Sequence, residues 1–401
     1  MKLGGGLRST ARGRHVELDF VRGIAIIVVM GFHFHTVHTG LPVIAAIEYP
    51  LKSFGREGVS LFFTLSGFLV GGLLLRQYAQ TGSIDVRRFI VRRLFKIWPA
   101  YYVLILFHVL ARRHPLDTFL WQNLVHLQNY YGTSIAQTWS LAVEEHFYLF
   151  LPALLLLLAR WRMNANAIIA VLLALCGIVF VARGVAVLHG EYAQAFEYTQ
   201  YRMDSLLFGV LLAAVYWMKP EAYRRVAERR GLLIATLLLL VAWLVLALHH
   251  VVLDESIGYT IQSIGFCALI VLALEHSKTL RMWWLYRLVA WIGVYSYGIY
   301  LWHSLALAPG DFVIHEAMAL GLPLAVIWLL SLSVQFAIAI TLGYVTTRAI
   351  EYPFLRLREA LFPDRATAAG PADAVAAAEA SAMVEEASVP TVEGPVGGQL
   401  S

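Results

Sequence analysis

Residues 17–35 read ELDFVRGIAIIVVMGFHFH, an apolar run with Asp19 and Arg22 near one end and His33 near the other. Between Arg22 and His33 every residue is apolar or glycine. A helix rises about 1.5 Å per residue, so the two lie about 16 Å apart along its axis, roughly half the hydrocarbon thickness of a bilayer. Eleven residues are three turns plus about 20°, which places both on one face, with Asp19 one turn before Arg22. A charge at mid-bilayer costs about 2.5–3.5 kcal/mol, so a span with such a face marks a functional site by default. The bland alternatives are an Asp19–Arg22 pair that snorkels to the interface and a satisfied core histidine at 33. The shared face favours a working pair. His35 and His38 fall on other faces than His33, so no metal site is expected.

Composition supports a membrane reading. Of 401 residues, 59% are hydrophobic and 14% charged, with a mean hydropathy of +0.68. A soluble domain holds about 45–50% apolar and about 25% charged residues. Disorder of the whole chain is excluded by the same numbers, and a disulfide scaffold by the two cysteines, Cys176 and Cys267, both inside apolar runs. The formal charge of +5 conceals an asymmetry. Six acidic residues and Arg365 lie in 364–401, which leaves 30 basic and 20 acidic residues in the rest of the chain. This basic excess fits cytoplasmic loops of a membrane protein, and no nucleic-acid partner is expected. No signal peptide is expected either, because the first apolar run contains Arg22 and His33 and lacks a cleavage site.

Ten stretches of roughly 20 apolar residues are expected to span the bilayer: about 18–38, 58–75, 95–111, 140–159, 167–188, 203–218, 231–253, 257–275, 288–308 and 323–347. The fold class is all-α, a polytopic bundle over residues 1–363, followed by a disordered tail over 364–401. With ten alternating spans, 23 Lys and Arg fall in one set of connecting segments and 6 in the other. By the positive-inside rule this places both termini in the cytoplasm and the protein in the cytoplasmic (inner) membrane.

Three further spans carry polar stripes. In SLFFTLSGFLVGG (60–72), Ser60, Thr64, Gly67 and Gly71 share a face, a pattern of close helix packing through small residues, with Ser66 left open. In TWSLAVEEHFYLFLP (138–152), Glu144 and Glu145 are adjacent, and Ser140 and Tyr148 sit one turn either side of Glu144. Two carboxylates in hydrocarbon need partners or water, and they suit acid–base work. Their structural alternative is to hold a partner such as Arg202. In WIGVYSYGIYLWH (291–303), Ser296, Tyr300 and His303 share a face. An interfacial aromatic belt explains the tyrosines but not His303. RRFIVRRLFKIWP (87–99) adds Arg87, Arg88, Arg92, Arg93 and Lys96. Clustered guanidinium groups of this kind bind anionic lipid heads or a phosphate-rich cofactor.

Taken together, these segments resemble the acyltransferase-3 family of integral-membrane acyltransferases over about residues 17–355. The carrying residues are Asp19 to Gly23 with His33; Gly58 to Phe68; Arg88 to Pro99; Trp139 to Leu141 with Glu144, Glu145, Phe147 and Tyr148; Arg202 to Gly209; Ser296 to His303; and Ile350 to Phe354. The resemblance implies transfer of an acyl group, commonly acetyl, from acyl-CoA to a hydroxyl on a sugar of a surface glycan, lipid-linked saccharide or glycoside. It also implies that Arg22 and His33 are the essential pair.

On this reading Arg87, Arg88, Arg92, Arg93 and Lys96 hold the CoA phosphates. His33 is either general base or transient acyl carrier. Arg22 positions the donor or stabilises oxyanion charge. Glu144, Glu145, Tyr300 and His303 support the chemistry, with Asp19, Ser66, Ser140, Tyr148 and Arg202 around them. Lys96 departs from the family pattern, in which Arg often precedes the proline, and His146 replaces other residues seen after the Glu pair. The hydrolase-like domain fused to some relatives is not expected in this chain. Two other classes remain open: a transporter that uses the buried Arg, His and Glu as a proton or substrate pathway, and a non-catalytic scaffold.

Overall fold

The computed structural model describes residues 15–247, 250–277 and 279–362. The chain divides into two compact units, Met1–Glu351 and Tyr352–Ser401. In the first unit the principal helices are α1 (Val16–His33), α2 (Pro42–Ser53), α3 (Gly55–Thr81), α4 (Val86–Leu110), α5 (Trp139–Arg160), α6 (Ala165–Leu188) and α7 (Thr199–Met218). There follow α8 (Pro220–Glu228), α9 (Arg230–Ala247), α10 (Tyr259–His276), α11 (Trp284–Val294), α12 (Ser296–Trp302), α13 (Leu307–Ala319) and α14 (Leu324–Thr346). The described part of the second unit is one helix, α15 (Tyr352–Leu361). No strand occurs among the described residues, so the all-α expectation holds. The tail expected to be disordered lies outside the described residues.

The expected count of ten spans is not confirmed. Among the described residues, six helical stretches are long and apolar enough to cross a membrane: Gly55–Thr81, Val86–Leu110, Ala136–Arg160, Ala165–Leu188, Val251–His276 and Leu324–Leu361. The pair α8 and α9, bent by 74°, makes a seventh if the two helices form one broken span rather than a re-entrant loop. The shortfall has local causes. Glu17, Asp19 and Arg22 crowd the 18 residues of α1, and the first two turns of α7 are polar. The stretch expected at 288–308 is broken at Tyr295 into α11 and α12, followed by a 3₁₀ turn over His303–Ala306.

Helix ends follow ordinary capping chemistry. The Asp85 side chain accepts from the Arg88 backbone N–H at 3.0 Å at the start of α4, and Asn164 does the same for Ala167 at the start of α6. Gly82 closes α3 at φ +68°, a conformation glycine reaches without a Cβ penalty.

The core is built around α3. Its small residues let α7 approach at backbone contact: a Cβ on Gly67 would lie 1.9 Å from the Leu206 carbonyl oxygen, and one on Gly209 2.0 Å from that of Thr64. This is the small-residue packing that the stripe in 60–72 implies. α1 packs against α3 on one side and α11 on the other. The apolar flanks of α1, including Val21, Ile26, Val29 and Met30, are therefore buried in protein.

Candidate functional site

α1 carries its polar face into two cavities. At the Arg22 end is a central chamber of about 150 Å³, lined by Arg22, Ser66, Arg93, Lys96, Glu144 and Tyr148 among others. At the His33 end is a second chamber of about 380 Å³, to which α1, α3, α5 and the segments around 128–137 and 196–197 contribute. Val59 and Tyr300 line both. The chambers at the two ends of α1 thus share the side chains of Val59 and Tyr300 in their walls.

In the central chamber Arg22 Nη1 donates to Asp19 Oδ1 at 2.7 Å, so Asp19 holds the guanidinium from one turn below. Arg93 lies over the Tyr148 ring, 5.6 Å from its centroid. Lys96 pairs with Glu351, which also accepts from Thr347 Oγ1 at 2.7 Å. The Ser66 and Tyr148 hydroxyls are 2.6 Å apart, and both face the Glu144 carboxylate. Three cations and one carboxylate line the chamber, and two of the cations, Arg22 and Lys96, are ion-paired with Asp19 and Glu351. Of the five cations expected to bind a cofactor, Arg93 and Lys96 reach the chamber. Arg87 is exposed, and Arg88 and Arg92 are half-buried on α4 without lining the chamber.

The adjacent glutamates part company. Glu145 lines a side cavity of about 260 Å³ with Trp98, Tyr102, His126 and His146. Trp98 Nε1–H donates to Glu145 Oε2 at 3.2 Å, and Glu145 Oε1 has no partner among the described residues. Adjacent helix positions point about 100° apart, which is why one carboxylate enters the central chamber and the other does not. His146 faces Thr199 Oγ1 at 2.7 Å.

In the outer chamber, meaning the one at the His33 end, the His33 ring has no hydrogen-bond partner among the described residues and lies open to the cavity. His303 is its neighbour, with ring centroids 5.1 Å apart. His303 is fully buried, and its Nδ1 is 2.8 Å from the Tyr300 carbonyl. Nδ1–H therefore donates, because a carbonyl only accepts, and Nε2 keeps the lone pair. Tyr300 is itself fixed: its hydroxyl donates to the Gln137 carbonyl at 2.8 Å and lies 2.6 Å from Ser140 Oγ. Neither Glu144 nor Glu145 lines the His33 chamber.

Arg202 lies elsewhere. It is fully buried, donates to Ser60 Oγ at 2.9 Å and sits 3.5 Å above the Tyr259 ring. It makes no ion pair with the glutamates among the described residues. No group of three or more metal-ligating side chains occurs among the described residues.

Sequence reasoning missed the wall of the outer chamber: Arg56, Gln128, Gln137, Phe196 and Glu197. The usable signal was the run QNYYGTSIAQTWS (128–140), polar and aromatic with no charge, directly before a span.

A family model described as "Acyltransferase domain" matches residues 15–345. The chain is 29% identical over 318 residues to the Bacillus subtilis protein named "Putative peptidoglycan O-acetyltransferase YrhL", covering 71% of this chain and 47% of the relative. It is 25% identical over 315 residues to "Peptidoglycan O-acetyltransferase OatA" of Listeria monocytogenes, covering 72% and 48%. The chain spans about half the length of the curated relatives it matches. No solved structure matches it.

Proposed function

Since the chain belongs to the acyltransferase family whose model covers residues 15–345, we propose that it is a multi-pass membrane enzyme moving an acetyl group from acetyl-CoA to a hydroxyl of a carbohydrate. The acceptor on this reading is a cell-surface glycan or a lipid-linked saccharide, and the relatives named for peptidoglycan support a glycan. The observation that carries the proposal is the common wall of Val59 and Tyr300 between the Arg22 chamber and the His33 chamber. It lets the two cavities serve a single reaction.

The donor occupies the central chamber, where Arg22 and Arg93 attract its phosphates and Lys96 adds a point charge. Its thioester arm crosses the Val59–Tyr300 wall to His33. The acceptor enters the outer chamber. The His33 ring takes the proton from the acceptor hydroxyl as the oxygen attacks the acyl carbon. The carbon–sulfur bond then breaks, the CoA thiolate leaves with the electron pair and is protonated, and the ester remains on the acceptor. If His33 carries the acyl group first, the same bonds form and break in two steps. In both routes His303 and Tyr300 fix the geometry around the His33 ring.

The test uses purified protein in detergent with acetyl-labelled acetyl-CoA and a glycan acceptor. Free CoA beyond one equivalent per enzyme should appear only when acceptor is present, and label should appear on the acceptor. His33→Ala should lower the rate by at least about a hundredfold while inserting normally. Unchanged CoA release in that variant would overturn the role of His33. Passage of an unmodified solute into proteoliposomes without CoA release would favour the transporter reading.

A further inference from the structure

The His33 ring has no hydrogen-bond partner among the described residues, and His33 is the last residue of α1. Helix ends fray, because the last turn leaves its carbonyls without helical partners. The ring must therefore be held through the chain that follows it. That chain leaves α1 at Phe34 in an extended conformation, φ −68° and ψ 139°, and the next residues are tied down. Lys52 of α2 donates to the Phe34 carbonyl. The Phe34 ring is buried edge-on against Phe336 of α14, with centroids 5.0 Å apart. Gln335, beside Phe336, takes both backbone groups of His35. The His35 N–H donates to Gln335 Oε1 at 3.0 Å, and Gln335 Nε2 donates to the His35 carbonyl at 2.8 Å. The second Nε2 hydrogen goes to the Ser331 carbonyl at 3.1 Å. A backbone N–H only donates and a carbonyl only accepts, so this amide has one possible orientation.

The surroundings are shaped to this clamp. Gln335 is fully buried near the middle of α14, within the run LLSLSVQFAIAI (329–340). A buried amide is costly unless its groups are used, and here both hydrogens and the oxygen are. α13 makes room for it: a Cβ on Gly310 would lie 2.3 Å from Gln335 Cδ and 2.7 Å from Nε2. Asp311, the next residue, has Oδ1 2.7 Å from His35 Nδ1. Helices α2, α13 and α14 thus meet on the two residues after His33. Holding both backbone groups of His35 fixes the chain's rotation about Phe34, and with it the end of α1. A reacting group misplaced by about 1 Å can lose about a hundredfold in rate.

Resting on the reading that His33 is the general base or acyl carrier, we propose that Gln335 is a positioning residue for His33. It lines neither chamber and acts through the His35 backbone. It sets where α1 ends, and so where the His33 ring stands beside His303. Gly310 is the gap through which the amide reaches His35.

Two variants break the clamp from different sides. Gln335→Met keeps the length of the side chain and removes its hydrogen bonds. Gly310→Ala keeps Gln335 and pushes its amide off His35. In both, kcat for acetyl transfer should fall at least about tenfold, while the KM for acetyl-CoA stays within about threefold because the donor chamber is untouched. A readout independent of turnover is the Cε1–H resonance of His33 in histidine-labelled full-length protein in detergent, assigned by its loss in His33→Ala. It should shift or broaden in both variants while the resonance of His126 stays in place. Unchanged kcat, or a His33 resonance that does not move, would overturn the proposal. So would a fall in kcat that comes with a moved His126 resonance and a lower melting temperature, the mark of a merely structural tie. Should Gln335→Met fail to fold, Gly310→Ala decides alone. If the wild type transfers no acetyl group but the His33 resonance responds as expected, the clamp stands and the acyltransferase reading falls.

Discussion

His126 adopts a left-handed backbone at φ +56°, with its ring stacked on Tyr101 at 4.8 Å and on Trp98 at 5.9 Å between centroids. Burial, with His146 nearby, pushes its pKa down to about 4. An unfolded histidine titrates near 6.5. Between those values the unfolded chain binds a proton that the folded protein refuses, so stability is full above about pH 6.5 and declines as the pH falls towards 4. His126→Asn tolerates the left-handed backbone and does not titrate. It should flatten the loss of melting temperature between pH 7 and 4.5 in detergent, and an unchanged slope would assign the loss to other groups. The pair of Arg183 and Asp204 is the opposite case, fully buried at 2.8 Å, with Arg183 also donating to Ser256, Tyr201 and Thr260. Asp204→Ala should cost about 3–5 kcal/mol, read as a fall in thermal stability, because it strands a buried guanidinium. Neither feature was legible in the sequence. Arg183 reads as a charge near a span end, and its partner lies 21 residues away with no local pattern linking them.

The helices show where sequence reasoning works and where it stops. Long apolar runs such as α5 and α6 fall within a few residues of their expected places, because hydrocarbon length alone defines them. α2 and α13 went unread, being too short and too mixed to stand out against the spans. The face shared by Ser60, Thr64, Gly67 and Gly71 was legible as packing, and the contact with α7 is as tight as small residues permit. Gly209→Val should therefore wedge α3 and α7 apart. The expected effect is about 1–3 kcal/mol or more of destabilisation and a lower yield of monodisperse protein in detergent. Normal yield and melting temperature would show that the two helices are free to slide.

Across the whole molecule, the shared face of Arg22 and His33 was legible because both lie on one helix, where the period fixes the face, while their lining of two different chambers was not. The division of Glu144 from Glu145 between cavities depends on contacts between distant segments and was not legible either. The common wall makes a prediction at this scale. On the proposed route, Val59→Trp should block the wall between the chambers, leaving acetyl-CoA binding within about threefold while acetyl transfer falls on the order of a hundredfold. Equal loss of both, or of neither, would mean that the donor takes another path. That wall has a second consequence. If the proposed donor and acceptor arrive from opposite faces of a bilayer, the wall between the chambers must also keep that membrane electrically tight. Val59 puts hydrocarbon at that wall beside the Tyr300 ring, and an apolar constriction stays dry where a polar one fills. Val59→Ser would be expected to dissipate a proton gradient in sealed vesicles.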